Sequence, residues 1–218
     1  MATMRSLIKS FDTAIDDALL WIGDHGGFVF DPARAGLEHL YHGVLWPFAQ
    51  LPWPVTAIAF GILGWRLVGL RLGIGAALGL AACALMGLWD DTVGTLALVI
   101  AALLLALAIS LPLGVLAGFM PRLDRVLMPA LDLIQTIPPY VYLLPAIALL
   151  GFGPATALIA TVIVAVAPAI RLTSLGIRSV PVAFTELGQS VGAGPVQMFV
   201  KIRLPFALRS VMAGINQN

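Results

Sequence analysis

The chain has 218 residues, 60% of them hydrophobic and only 11% charged, with a formal net charge of +1. A mean hydropathy of +1.00 lies beyond the roughly half-apolar makeup of soluble domains and excludes a soluble globular protein. The near-neutral balance gives a nucleic-acid partner nothing to bind, so membrane lipid is the expected surroundings.

Residues 1–52 form a distinct N-terminal tail. Asp12, Asp16, Asp17, Asp24, Asp31 and Glu38 stand against Arg5, Lys9 and Arg34, while Leu7, Ile8, Phe11, Ile15, Ala18, Leu19 and Ile22 recur at helical spacing. That pattern predicts an amphipathic helix resting on the membrane or on the helical bundle. The acidic residues interrupt the long apolar core that a signal peptide needs. His25, His39 and His42 have no carboxylate or cysteine at ligand spacing, so no metal centre is expected there.

Residues 53–218 are expected to form the transmembrane domain. Apolar spans run near 54–70, 72–89, 92–119, 126–150 and 154–170, judged against the ~20 residues a helix needs to cross hydrocarbon. Because lipid offers no hydrogen-bond partners to a bare backbone, each span must be a helix. The class is therefore all-α, a multi-span helical bundle. Pro112 marks a potential kink in the long third span. Trp21, Trp46, Trp53, Trp65 and Trp89 fall near predicted span ends, where indoles favour the headgroup layer. Cys83 lies alone in an apolar run and is read as packing.

Basic residues orient the bundle. Arg66 and Arg71 follow the first span, Arg122 and Arg125 the third, and Arg171, Arg178, Lys201 and Arg203 the fifth, whereas the turns at Asp90–Asp91 and 151–154 have no Lys or Arg. The positive-inside rule places the basic connections in the cytoplasm and the tail outside. Asp132 is expected to face Arg122 or Arg125. Within the fourth span, Gln135, Thr136, Pro138, Pro139 and Tyr140 combine polar side chains with two prolines that remove helix hydrogen bonds at membrane depth. Such backbone is tolerated where it lines a cavity or packs on protein, so these five residues are candidates for a substrate pathway.

The segment 181–205 is patterned differently. Phe184, Leu187 and Val191 fall on one side of a short helix, 192–195 (Gly-Ala-Gly-Pro) allows a sharp reversal, and Pro195 can open a second helix. Val196, Phe199 and Val200 then form a second expected apolar face. Two short helices around a glycine corner make a compact knob that a partner's groove can hold.

With its flanks, VPVAFTELGQSVGAGPVQMFVKIRLPFA, this segment resembles the EAA loop of importer-type ABC permeases, through which an ATPase subunit moves the membrane subunit. Glu186 stands at the motif's Glu, Gly192 at its glycine, and Ile202, Leu204 and Pro205 at its closing I-x-L-P. Leu187 and Gly188 depart from the motif, occupying positions where that family usually has two alanines. From Asp132 to Pro181 the chain also resembles the permeases of the glycine betaine/proline (quaternary amine) branch, as do Trp53 through Asp90 and the final LPFALRSVMAGINQ.

The resemblance implies a type I importer fold, alternating access driven by two ABC ATPases, a second permease subunit as a homodimer partner, an extracytoplasmic substrate-binding protein, and the bacterial inner membrane as location. Coupling to the ATPase would rest on Glu186, Leu187, Gly188, Gly192, Ile202, Leu204 and Pro205. The sequence contains no G-x4-G-K-[ST] phosphate loop, so ATP and Mg are expected on the partner and this chain is expected to be a transport subunit rather than an enzyme. An ion-coupled porter would place acidic ligands at the midplane, and the spans offer none suited to that role. The apolar stretch 206–218 is too short to cross a bilayer, so it is expected to be an incomplete last span of a C-terminally truncated chain. An ATPase-binding fragment without transport, or a permease for another small amine or amino acid, is the alternative.

Overall fold

The computed structural model describes residues 2–205 together with 207, 208 and 212. Helices α1 (Ala2–Gln50), α2 (Trp53–Leu67), α3 (Leu70–Leu85), α4 (Trp89–Phe119), α5 (Pro121–Thr136), α6 (Tyr140–Leu150), α7 (Pro154–Arg178) and α8 (Val182–Ser190) precede a short turn, Pro195–Gln197, and a π-helix, Met198–Arg203. No strand occurs among the described residues. The predicted incomplete span at 206–218 lies, apart from 207, 208 and 212, outside them.

Among the described residues, two helices are by themselves long and apolar enough to cross a membrane, α4 and α7. At ~1.5 Å per residue, the 31 residues of α4 exceed a hydrocarbon core of ~30 Å. Pro112 sits inside α4 without ending it. The helices divide the expected spans differently in three places. The runs expected at 54–70 and 72–89 become helices of 15 and 16 residues, each short of a full crossing. The half of the tail from His25 to Gln50 forms, with α2, a bent apolar pair at 106°, broken where Leu51–Pro52 stops the first helix and Pro52 starts the second. The run expected at 126–150 is likewise two helices, α5 and α6, bent by 93°.

The cause of that second break is local. A proline disfavours the helical region for the residue before it, and Ile137 ends α5 in an extended conformation, φ −79° and ψ 126°. Pro138 and Pro139 then bring no N–H of their own. Their carbonyls accept the first bonds of the next helix, from Val141 at 3.0 Å and Leu143 at 3.2 Å.

The chain divides into two compact units, Met1–Ala101 with Pro145–Leu158, and Ala102–Leu144 with Ile159–Asn218. In the first, α2 and α3 pack closely as a hairpin around Gly73. A Cβ there would meet the Gly61 carbonyl oxygen at 2.5 Å and the Trp65 backbone nitrogen at 2.9 Å, so no larger residue fits. Arg34 pairs with Glu38 on α1 at 2.8 Å.

In the second unit, α7 lies against α4 at two glycines one turn apart. A Cβ at Gly114 would fall 2.5 Å from Thr173 Cβ and 2.9 Å from the Ile170 carbonyl oxygen, and one at Gly118 would fall 2.7 Å from Ile177 Cβ. Small residues permit such close helix contact in membranes, where packing rather than apolar transfer holds helices together. Beside this contact, Leu131 of α5 packs with Ala167 and Ile170 in a buried cluster completed by Leu113 of α4, Leu127, Met128 and Val166.

Substituting Gly114→Val should therefore lower the thermal stability of the detergent-purified protein by about 1–3 kcal/mol, the usual cost of overpacking. Gly75→Ala, where an added Cβ meets nothing within 4 Å, should leave it unchanged or raise it by up to ~1 kcal/mol; a thermal unfolding series on both variants checks the pair.

Candidate functional site

The hook at 181–205 is built as a helix, a corner and a second helical piece. Pro181 precedes α8, and the helix ends in a paired cap: the Gly192 N–H donates to the Gln189 carbonyl at 3.0 Å and the Ala193 N–H to the Gly188 carbonyl at 2.9 Å. This is a Schellman arrangement, which calls for a left-handed residue just beyond the helix. Gly192 occupies that place with φ 73°. Its surroundings are open, so conformation rather than space demands the glycine there.

Gly188 differs, being tightly enclosed. It is buried, and a Cβ on it would lie 2.5 Å from Ile202 Cδ1 and 2.7 Å from Met198 Cε. The departure from alanine at this position is thus met by two longer side chains reaching across from the π-helix. Ile202 and Leu204 are half-buried, and Glu186, Gly192 and Pro205 are exposed. Among the coupling candidates, Gly188, Ile202 and Leu204 are thus turned inward, whereas Glu186 and Leu187 present exposed side chains.

The outer surface carries several exposed apolar side chains. Phe184, Leu187 and Val191 are 44%, 60% and 74% exposed, and Val196 and Val200 are also exposed. The expectation that Phe199 shares a face with Val196 and Val200 is corrected. Phe199 turns inward against the buried Ile177 and Ala207, with its ring 5.8 Å from that of Phe119, because the wider π-helix shifts the register between successive turns. Arg203 lies over the same Phe119 ring at 4.7 Å, which ties the hook to the end of α4.

Gln135 and Pro139 line a cavity of about 570 Å³ with Ile134, Ile137, Tyr142 and, from α7, Ala160, Thr161, Val164, Ala165 and Pro168. Thr136, Pro138 and Tyr140 do not line it. The Thr136 hydroxyl donates to the Leu133 carbonyl at 2.9 Å, and Tyr140 is 76% exposed. Sequence reasoning missed Tyr142 and Thr161; a polar residue inside the apolar run of α7 was the signal available for Thr161.

Ion pairs between α5 and α7 were also missed. Asp132 is paired with Arg171, not with Arg122 or Arg125 as expected, because the facing helix rather than the nearer sequence supplies the cation. Asp124 is paired with Arg178 and accepts a hydrogen bond from the Ser174 hydroxyl at 2.7 Å.

The model for the family described as binding-protein-dependent transport system inner membrane component matches residues 110–216, a stretch holding both the cavity and the hook. The glycine betaine transport system permease protein OpuAB of Bacillus subtilis is 33% identical over 94% of this chain and 72% of its own length. This chain belongs to that family of membrane components. The glycine betaine/proline betaine transport system permease protein ProW of Escherichia coli is 37% identical over 94% of this chain and 58% of its own, so the chain spans well under two thirds of that relative. The glycine betaine/carnitine transport permease protein GbuB of Listeria monocytogenes is 42% identical over 60% of this chain and 46% of its own.

A β-branched residue at the corner of this membrane component would be forced into a left-handed conformation costing about 1–2 kcal/mol. Gly192→Val should therefore speed proteolytic cleavage within 188–205 in membrane vesicles, while Gly192→Asn, which tolerates that region, should cleave at close to the parental rate.

Proposed function

We propose that this chain is the permease subunit of an ATP-driven importer of glycine betaine, proline betaine or a related quaternary-amine osmoprotectant in the bacterial inner membrane. The observation that carries the reading is the hook: a compact knob whose side chains at Phe184, Leu187, Val191 and Val196 are apolar and exposed. An apolar patch of that kind calls for a protein partner, and in this family's setting the partner is an ABC ATPase that carries the ATP and Mg.

On this reading the hook lies in the cytoplasm and the tail outside, in keeping with the Arg and Lys residues at 171, 178, 201 and 203. Two copies of the permease pair around the pathway, and an extracytoplasmic binding protein delivers the substrate. Glu186 and Leu187 contact the ATPase, whereas Gly188, Gly192, Ile202, Leu204 and Pro205 maintain the knob's shape.

The cavity is the substrate's route. Gln135 offers hydrogen bonds to a carboxylate, and Tyr142 presents an aromatic ring, which attracts quaternary ammonium groups through its π face. A single ring fits passage better than capture, and Thr136, Pro138 and Tyr140 act by shaping the break beside it.

The test is uptake of radiolabelled glycine betaine into vesicles holding the permease with its ATPase and binding protein. Gln135→Ala should slow uptake about fivefold, the loss of roughly 1 kcal/mol for a missing hydrogen bond, with membrane levels unchanged. Leu187→Asp should abolish co-purification of the ATPase. A cysteine at Glu186 that is labelled from outside intact cells, or ATP-dependent uptake that persists without the ATPase subunit, would overturn the proposal.

A further inference from the structure

We propose that the ion pairs Asp124–Arg178 and Asp132–Arg171 form an interhelical clasp that carries movement of the hook to the broken helix beside the cavity, making these four residues positioning residues for transport. The inference rests on the transport reading above.

The four residues are arranged for such a task. Asp124 and Asp132 stand about two turns apart on α5, and Arg171 and Arg178 about two turns apart on α7, and the pairing is crossed in sequence, 124 with 178 and 132 with 171. Two pairs spaced in this way hold antiparallel helices in one register, whereas a single pair would leave a pivot. Both oxygens of the Asp124 carboxylate are engaged, one by Arg178 and the other by the Ser174 hydroxyl. That carboxylate is largely buried, at 15% exposure, and Ser174 is buried, while Arg178 and the second pair are more open.

Each end of the clasp meets a different machine part. Arg178 is the last residue of α7, and the chain passes from it through Pro181 into α8 of the hook. Asp132 lies one turn before Thr136, where α5 stops, and Gln135 between them lines the cavity. A pull on the hook is therefore felt by α7, and through the two pairs by the segment of α5 that ends at the Pro138–Pro139 break. The apolar contacts of Leu131 with Ala167 and Ile170 bring the two helices together but resist sliding poorly. Charge pairing supplies the resistance.

The arrangement also has a way to change. Arg171 Nε is buried and has no hydrogen-bond partner, and so is the Thr173 hydroxyl on the same helix. An unsatisfied buried donor is destabilising, so a second register that satisfies these groups can lie close in free energy. Such a nearby alternative is what a two-state coupling element requires.

The test is a charge-swap cycle in the assembled transporter, the permease with its ATPase and binding protein in vesicles, reading glycine betaine taken up per ATP hydrolysed. Asp132→Arg and Arg171→Asp should each cut that ratio about tenfold, in the range typical of coupling between sites, with ATP consumption falling far less than uptake. The double swap should recover most of it, and the same pattern should hold for Asp124→Arg and Arg178→Asp. Should a swap variant fail to reach the membrane, Asp132→Asn and Arg171→Gln replace it and carry the same expectation for the ratio. Single variants with the parental ratio, double swaps no better than the singles, or parallel losses of uptake and ATP hydrolysis would each overturn the clasp. A parent transporter that hydrolyses ATP and moves no substrate would instead overturn the transport reading, and the clasp with it.

Discussion

Helix α7 is the strut on which the second unit of this molecule depends, and its grip on α4 at Gly114 and Gly118 is the constraint that sets the rest. Those glycines leave no room for even one added carbon against Thr173 and Ile177, so the two helices meet almost backbone to backbone. With α4 fixed against α7, α5 packs alongside both, where Leu131 enters the cluster of Ala167, Ile170 and the α4 residue Leu113. In a membrane this mode of association is favoured because lipid is as apolar as the side chains, and close contact rather than burial supplies the attraction.

The second constraint is the backbone's need for hydrogen bonds. Hydrocarbon penalises every unpaired amide and carbonyl, so a chain interrupted by Pro138 and Pro139 must pair the freed groups locally. It does so by ending α5 at Thr136, turning through Ile137 and beginning α6 on the proline carbonyls. The turn leaves space against α7 that the side chains do not fill, and the cavity at Gln135 and Tyr142 is that space. A defect in one helix thereby becomes an opening between two.

Hook and cavity are connected by these same elements. Arg178 ends α7 just before the hook, Arg203 and Phe199 of the π-helix engage Phe119 at the end of α4, and Asp132 of α5 holds Arg171 beside the break. Stiffness along this path comes from unlike sources: glycine contact, aromatic packing and charge.

Much of this was legible from residue order alone, because the signals involved are local. A 60% hydrophobic composition required helices in lipid, two adjacent prolines required a break, and the pattern Glu186, Gly192, Ile202, Leu204, Pro205 marked the hook together with the glycine that turns it. Hydropathy, however, reports only that a stretch is apolar. It could not tell that 54–70 and 72–89 would form short paired helices, nor that 126–150 would bend. Phe199 turns inward because a π-helix alters the periodicity on which any face assignment depends, and Tyr142 rather than Tyr140 lines the cavity beyond the bend between α5 and α6. Asp132 chooses Arg171 over the basic residues nearer in sequence since ion pairs are decided by which helices stand side by side. Class, breaks and hook were determined by the sequence itself, through forces acting within a turn or two; partners, cavity lining and register were decided by the tertiary structure, because they depend on contacts between helices far apart along the chain.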